Sequence, residues 1–227
     1  MVTSILYMIM DTTAIYTQKE ELANTITHLA GIILGLIASY YLLGKAYAHD
    51  DIHWAVSSVL VYLFGMLSSY GISVIYHGCS NRYRKKKLQK IDHAAIYLHI
   101  AGTYTPFTLI TLRHAGSWGW MLFSFVWFSA LLGILMSFRN LDKHSHLETL
   151  CYVIMGSVIL IAFKPFMDVL GSTGRMDVLY WIIAGGVFYI VGALFYSFTR
   201  IRYMHTVFHL FVVGGSVCHI LAVYAAL

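Results

Sequence analysis

In the stretch His205-Thr-Val-Phe-His209, two histidines four residues apart stand at the head of a long apolar segment. Residues at i and i+4 share one face of a helix, so both imidazoles can address a single ion. His77 closes an earlier apolar segment, and Asp92 opens the one after it. Three imidazoles with a carboxylate near an open fourth position match the donor pattern of a catalytic zinc, whereas a structural zinc usually has four protein ligands, often including cysteine. Ionisable groups inside apolar segments are costly to bury, which makes function their default reading.

The elements that must position these groups are membrane helices. The 227 residues are 59% hydrophobic and 11% charged, with a mean hydropathy of +0.72, too apolar for a soluble domain of this size. The chain is therefore expected to be all-α and polytopic, a single domain over residues 1–227. Nearly uncharged stretches long enough to cross the hydrocarbon core fall at about 25–46, 52–76, 91–112, 118–138, 147–166, 176–198 and 204–226, which predicts a seven-helix bundle. Lys164 and Pro165 interrupt the end of the fifth segment. The first follows polar Gln18-Lys19-Glu20-Glu21 and lacks a small-residue cleavage site, so it is read as a span and not as a removed signal peptide. Loops are short, and no long linker, low-complexity tract or soluble domain interrupts the pattern.

Charge orients the expected bundle. With seven spans, Lys19, Arg82, Arg84, Lys85, Lys86, Lys87, Lys90, Arg139, Lys143, Arg200 and Arg202 share one side, and only Lys45, Arg113, Lys164 and Arg175 lie on the other. The bias predicts a cytoplasmic N-terminus and an external C-terminus. The basic run from Arg82 to Lys90 then reads as a topology signal beside anionic headgroups and not as a nucleic-acid surface. Cys79, Cys151 and Cys218 are odd in number and scattered, so no disulfide framework is implied.

In this topology His77, Asp92, His205 and His209 reach one depth from separate stretches of sequence. The chain has 12 histidines, so most need another explanation. His49, His53, His114, His144 and His146 fall in or beside loops and read as solvated. His99 and His219 lie roughly 10 to 15 Å deeper at 1.5 Å per residue and read as buried hydrogen-bonding groups. Spacing and topology alone suit a metal site and a plain interhelical polar network equally.

A second polar group lies at the same level. Glu21, Asn24 and His28 sit at i, i+3 and i+7 in the first helix, hence on one face. An acid in the first turn suits the positive end of the helix dipole, while the trio could also form a supporting shell that orients metal ligands. Ser73, one turn before His77, could hydrogen-bond a developing oxyanion or bond back to its own helix carbonyl.

Glu21-x2-Asn24-x3-His28, Ser73-x3-His77, Asp92 followed by Ile96-Tyr97 and Ala101-Gly102-Thr103-Tyr104-Thr105-Pro106, and His205-x3-His209 with His219 together resemble the bacterial haemolysin III proteins. These are the prokaryotic branch of the progestin and adiponectin receptor family, and the resemblance runs from about Glu20 to Tyr224. It implies a seven-helix protein of the bacterial cytoplasmic membrane with one zinc near the cytoplasmic side. His77, His205 and His209 match the ligands, Asp92 matches an aspartate that contacts water on the zinc, and Ser73 matches a serine one turn before the first ligand. Alkaline ceramidases share a similar arrangement, so the wider likeness implies metal-dependent hydrolysis of a lipid amide, with membrane lipids or fatty acids as partners.

Under that implication Asp92 would take a proton from water and return it to the leaving amine, Ser73 would steady the oxyanion, and Tyr97 and Tyr104 could contact the acyl chain or simply pack. The competing expectation is a non-enzymatic protein in which zinc clamps the bundle for membrane sensing or homeostasis. A third, transport or a proton leak through Glu21, His28 and Asp92, requires polar residues to continue across the bundle, and they thin out beyond His99 and His219.

Overall fold

The structure, a computed structural model, describes residues 16–139, 145–198 and 201–227. Lys143, His144 and Arg200, assigned above to loops or to one side of the membrane, lie outside them. Among the described residues the elements are helices: α1 (Gln18–Tyr47), α2 (Ile52–Gly78), α3 (Arg82–Pro106), α4 (Trp118–Ser137), α5 (Ser145–Gly156), α6 (Phe163–Thr173), α7 (Met176–Tyr196) and α8 (Met204–Ala226). Six stretches are long and apolar enough to cross a membrane: α1, α2, α4, Leu147–Thr173, α7 and α8. The expected segment at 91–112 is divided between α3 and a π-helical turn at Phe107–Thr111; α3 stands apart because its last 18 residues carry Gln89, Lys90, Asp92, His93, His99, Thr103 and Thr105, while the apolar residues that follow belong to the π turn.

Packing neighbours run α4 to α3 to α2 to α1 to α8 to α7, and α5 touches both α4 and α7, which closes a ring. Residues 101–109 of α3 and its π turn are all buried. Large apolar side chains such as Leu22, Ile26, Leu29, Ile33 and Leu36 cover the outside of α1. A face of that extent suits lipid, because in water it would drive association.

The buried face of α1 reads Glu20, Asn24, His28, Gly31, Gly35, Ala38, Leu42 and Ala46, in steps of three or four. A Cβ on Gly31 would meet the Tyr70 ring at 2.6 Å, and one on Gly35 would meet Leu67 at 2.6 Å, so α1 lies close against α2. The polar residues at the head of this face are thereby turned into the bundle. Thr17 and Glu20 fix that head with a capping box: the Thr17 hydroxyl accepts from the Glu20 N–H at 3.3 Å, and the Glu20 carboxylate accepts from the Thr17 N–H at 2.9 Å.

The helices bearing His77 and Asp92 approach equally closely. A Cβ on Gly65 would lie 2.7 Å from the Leu98 carbonyl oxygen, and one on Gly102 would lie 3.0 Å from that of Val61. Pro106 then removes one backbone donor, and the helix widens into the π turn. The Thr105 and Thr108 hydroxyls donate back to the carbonyls of Ala101 at 2.9 Å and Tyr104 at 3.0 Å on either side of this change in the helix.

The fifth expected span ends later than 166, because the apolar stretch continues to Thr173. Pro165 falls in the first turn of α6, where a missing N–H costs no intrahelical bond. The break comes earlier, at Ser157, where α5 gives way to a 3-10 turn. Tyr104 spans that break: its hydroxyl donates to the Gly156 carbonyl at 2.7 Å and accepts from the Ile159 N–H at 3.0 Å. Tyr97 packs its ring against Gly133 and Tyr152. Both tyrosines hold helices together. At the end of the bundle away from His77, Lys45 and Arg175 donate to the Tyr224 and Ala226 carbonyls and cap the last turn of α8.

Candidate metal centre

His28 from α1, His77 from α2 and His209 from α8 are buried, and each offers a ring nitrogen within 4.8 Å of the others. His205, one turn before His209, joins them with its ring centroid 4.2 Å from that of His209 and 5.2 Å from that of His77. The structure therefore gathers the three imidazoles named as ligands and adds a fourth. His28, read from the sequence as support, belongs to the tightest trio, while His205 stacks on Tyr16 at 4.8 Å.

Hydrogen bonding fixes how two of these rings present themselves. His77 Nδ1 lies 2.7 Å from Glu21 Oε2, and a carboxylate can only accept, so Nδ1 carries the proton and Nε2 keeps its lone pair. That Nε2 is buried without a partner. His209 Nδ1 lies 3.3 Å from the Thr27 hydroxyl, whose own proton is committed to the Asn24 carbonyl at 2.8 Å. Thr27 must accept from Nδ1–H, which again leaves Nε2 as the lone-pair donor. His28 Nδ1 and Nε2 and His205 Nδ1 are also buried with no partner. A buried nitrogen left unsatisfied costs about 1–3 kcal/mol, so several around one point call for a shared partner. Neutral imidazoles suit a zinc-like divalent ion, and the residues present fit such a group.

The surrounding residues hold the rings in place. Glu21 also pairs with Lys85 at 3.0 Å, and the Lys85 ammonium donates to the carbonyls of Tyr76, His77 and Cys79 at 3.1, 3.3 and 3.2 Å. It thus caps the end of α2 and anchors the carboxylate that orients His77. Nothing in its stretch of sequence separates Lys85 from Lys86 or Lys87. Asn24 Oδ1 accepts from the Thr206 hydroxyl at 2.6 Å, and Glu20 Oε1 accepts from the N–H of Tyr203 at 2.9 Å. Tyr203 has a φ of 62°, the left-handed region, at the point where the chain turns into α8. Glu20, absent from the sequence reading of the site, therefore fixes the entry of the helix that carries His205 and His209.

Asp92 lies outside the trio. It is within side-chain hydrogen-bonding reach of Ser73 and electrostatic reach of His77. One residue further on, His93 Nδ1 meets Glu148 Oε2 at 2.5 Å; Ser137 donates to Glu148 Oε1 at 2.9 Å, and Tyr152 donates to the His93 carbonyl at 3.0 Å. The sequence reading missed this buried pair, since its two halves lie on α3 and α5. Deeper in the bundle, Tyr70 and Tyr189 share the Ser216 hydroxyl at 2.7 and 3.0 Å. Close by, His99 and His219 each keep one ring nitrogen without a partner, fewer bonds than expected of them.

The comparisons agree with the motifs. A family model described as haemolysin-III related matches residues 16–220. The chain is 40% identical to hemolysin-3 of Bacillus cereus over 198 residues, covering 87% of each, and 37% identical to a hemolysin-3 homolog of Bacillus subtilis, covering 88% of this chain and 91% of that one. It is also 27% identical to the human monocyte to macrophage differentiation factor, covering 92% of this chain and 84% of the relative. An all-helical membrane bundle, polar motifs in the expected order and a match over nearly the whole length lead to one conclusion: the chain belongs to the haemolysin III family.

Proposed function

We propose that the chain is a zinc-dependent hydrolase of lipid amides, working at inner-leaflet depth in the bacterial cytoplasmic membrane. In this reading the bundle spans the membrane seven times, with the N-terminus cytoplasmic and the C-terminus outside, and holds one zinc per chain. The observation that carries it is the cluster of His28, His77 and His209, whose ring nitrogens lie within 4.8 Å of one another, with the His205 ring against His77 and His209 and with buried nitrogens of His28, His77 and His205 that have no partner. His77, His205 and His209 would hold the ion, as the family resemblance implies, with His28 against their rings and Glu21 and Asn24 in support.

A zinc there would supply a Lewis acid that polarises the amide carbonyl and makes water more acidic. The remaining chemistry belongs to the chain. Asp92 accepts a proton from the attacking water and returns it to the nitrogen of the breaking amide, giving a carboxylic acid and a free amine. Ser73, released from Asp92 once that carboxyl is protonated, donates to the oxyanion. Glu21 keeps His77 in one tautomer throughout. The substrate acyl chain would lie along the apolar helix faces, which favours membrane lipids over soluble amides.

A second reading is favoured by the fourth imidazole: with His28 also bound, coordination would close, and zinc would clamp α1, α2 and α8 in a non-enzymatic sensing or homeostasis protein. The test is metal content per chain of detergent-purified wild type, His209→Ala and Asp92→Ala, paired with fatty-acid release from ceramide-like and other amide lipids. About one zinc per chain, lost in His209→Ala, with release lost in both variants but metal kept in Asp92→Ala, supports the hydrolase. Zinc without release moves the assignment to the clamp, metal loss in Asp92→Ala makes the aspartate a ligand, and no zinc in wild type sinks both readings.

A further inference from the structure

A groove of about 610 Å³ opens between the end of α2 and the start of α3, lined by Ile75, Gly78, Cys79, Arg84, Lys87 and Leu88. The volume is within the usual range for a ligand pocket. Its two walls are helix faces in register. Ile75, Gly78 and Cys79 stand at i, i+3 and i+4 leaving α2, and Arg84, Lys87 and Leu88 repeat that spacing entering α3. Gly78 leaves the space open, since a Cβ there would meet nothing within 4 Å. Ile75 is 59% exposed on the lipid-facing side.

Neighbouring cations in the same run are engaged differently. Lys85 turns inward to Glu21 and the carbonyls at the end of α2. Among the described residues, the ion pairs give no carboxylate to Arg84 or Lys87; Lys87 instead lies over the Tyr83 ring at 4.6 Å. Two cations with no acidic partner among the described residues, above an apolar floor that continues onto a lipid-facing helix, are complementary to a molecule with an anionic head and an acyl tail.

We propose that this groove is a binding site for an anionic phospholipid, with Arg84 and Lys87 on the phosphodiester and Ile75 and Leu88 against the first part of the acyl chain. The site is separate from the imidazole cluster and does not depend on a metal. It does touch Gly78 and Cys79, at the helix end that carries His77, so an occupant braces the same turn that Lys85 caps from within.

The test is native mass spectrometry of the full chain in detergent, titrated with phosphatidylglycerol or with phosphatidylcholine of the same acyl chains. Wild type is expected to retain phosphatidylglycerol in preference. At about 1 kcal/mol per cation near the surface, Arg84→Gln with Lys87→Gln should weaken that retention by roughly ten- to thirty-fold. Lys19→Gln with Lys86→Gln removes the same charge from the same end outside the groove and should leave most of the retention in place. Gly78→Phe, which fills the groove and keeps both cations, should also lose the lipid, and it decides the matter if the double glutamine variant does not fold. Equal loss from the two double variants, no preference for the anionic lipid, retention by Gly78→Phe, or equally tight binding of soluble glycerol phosphate would each overturn the proposal.

Discussion

His77 Nδ1 and Glu21 Oε2 lie 2.7 Å apart across the contact between α1 and α2, and the bond leaves His77 Nε2 facing the other imidazoles. Carboxylates in this position typically contribute 10- to 100-fold to metal affinity by fixing the ring and raising its basicity. Glu21→Gln is therefore expected to weaken zinc binding by about that factor, measured by competition with a chelator of known affinity. Lys85→Met should cost less than about fivefold, because its ion pair with Glu21 is partly exposed. Unchanged affinity in Glu21→Gln would mean that His77 is oriented by packing alone.

Four imidazoles and three proposed ligands leave one assignment to be decided between His28 and His205. His77 and His209 belong to both candidate sets, so His28→Ala and His205→Ala carry the information. The proposed hydrolase requires His205→Ala to lose nearly all the metal, and His28→Ala to keep it with affinity reduced by about ten- to a hundredfold, as expected of a supporting residue. The reverse order would make His28 the third ligand. Loss in both variants would indicate the closed four-imidazole clamp.

Glu148 has a side chain only 3% exposed and holds both His93 and Ser137. Removing one member of a buried, hydrogen-bonded ion pair costs about 3–5 kcal/mol, because the other is left uncompensated. Glu148→Ala should accordingly lower the melting temperature in detergent by several degrees with metal content per folded chain unchanged. Replacing both Glu148 and His93 by leucine should recover most of the loss. If Glu148→Ala melts with wild type, the pair is neutral in its effect, and the α3–α5 contact rests on Tyr97 and Tyr152.

Much of the site was legible because helical periodicity converts spacing directly into a face. The pair His205 and His209, and the run Glu21, Asn24 and His28, could be placed on their helices with no tertiary information. The polar head of α1 does face the bundle, with Glu20, Asn24 and His28 fully on the buried face and Glu21 at its flank. What one helix cannot reveal is reach across to the next. Depth along an axis brings His28 level with His77, but its entry into the tight trio depends on how closely Gly31 and Gly35 let α1 approach α2. Lys85 and Glu148 were hidden for the same reason, since each has its decisive partner on another helix. Among the described residues six membrane-capable helices stand where seven spans were expected, because the second half of α3 is rich in polar residues and the apolar Phe107–Thr111 is cut off from it as a π turn after Pro106.

Tyr104 bonds across the break between α5 and the 3-10 turn, and this predicts where the bundle opens first when that bond is removed. Its hydroxyl serves the Gly156 carbonyl and the Ile159 N–H, two backbone groups that the interrupted helix cannot satisfy and that no water reaches within a membrane. Tyr104→Phe keeps the ring and its packing while removing both bonds, at a cost of about 1–3 kcal/mol for each group left unsatisfied. Amide exchange in a lipid nanodisc should accelerate at residues 156–160 by one to two orders of magnitude, with little change in α1 or α8. Uniform acceleration across the bundle would instead make Tyr104 part of the global core, and unchanged exchange would mean that the 3-10 turn satisfies those groups without it.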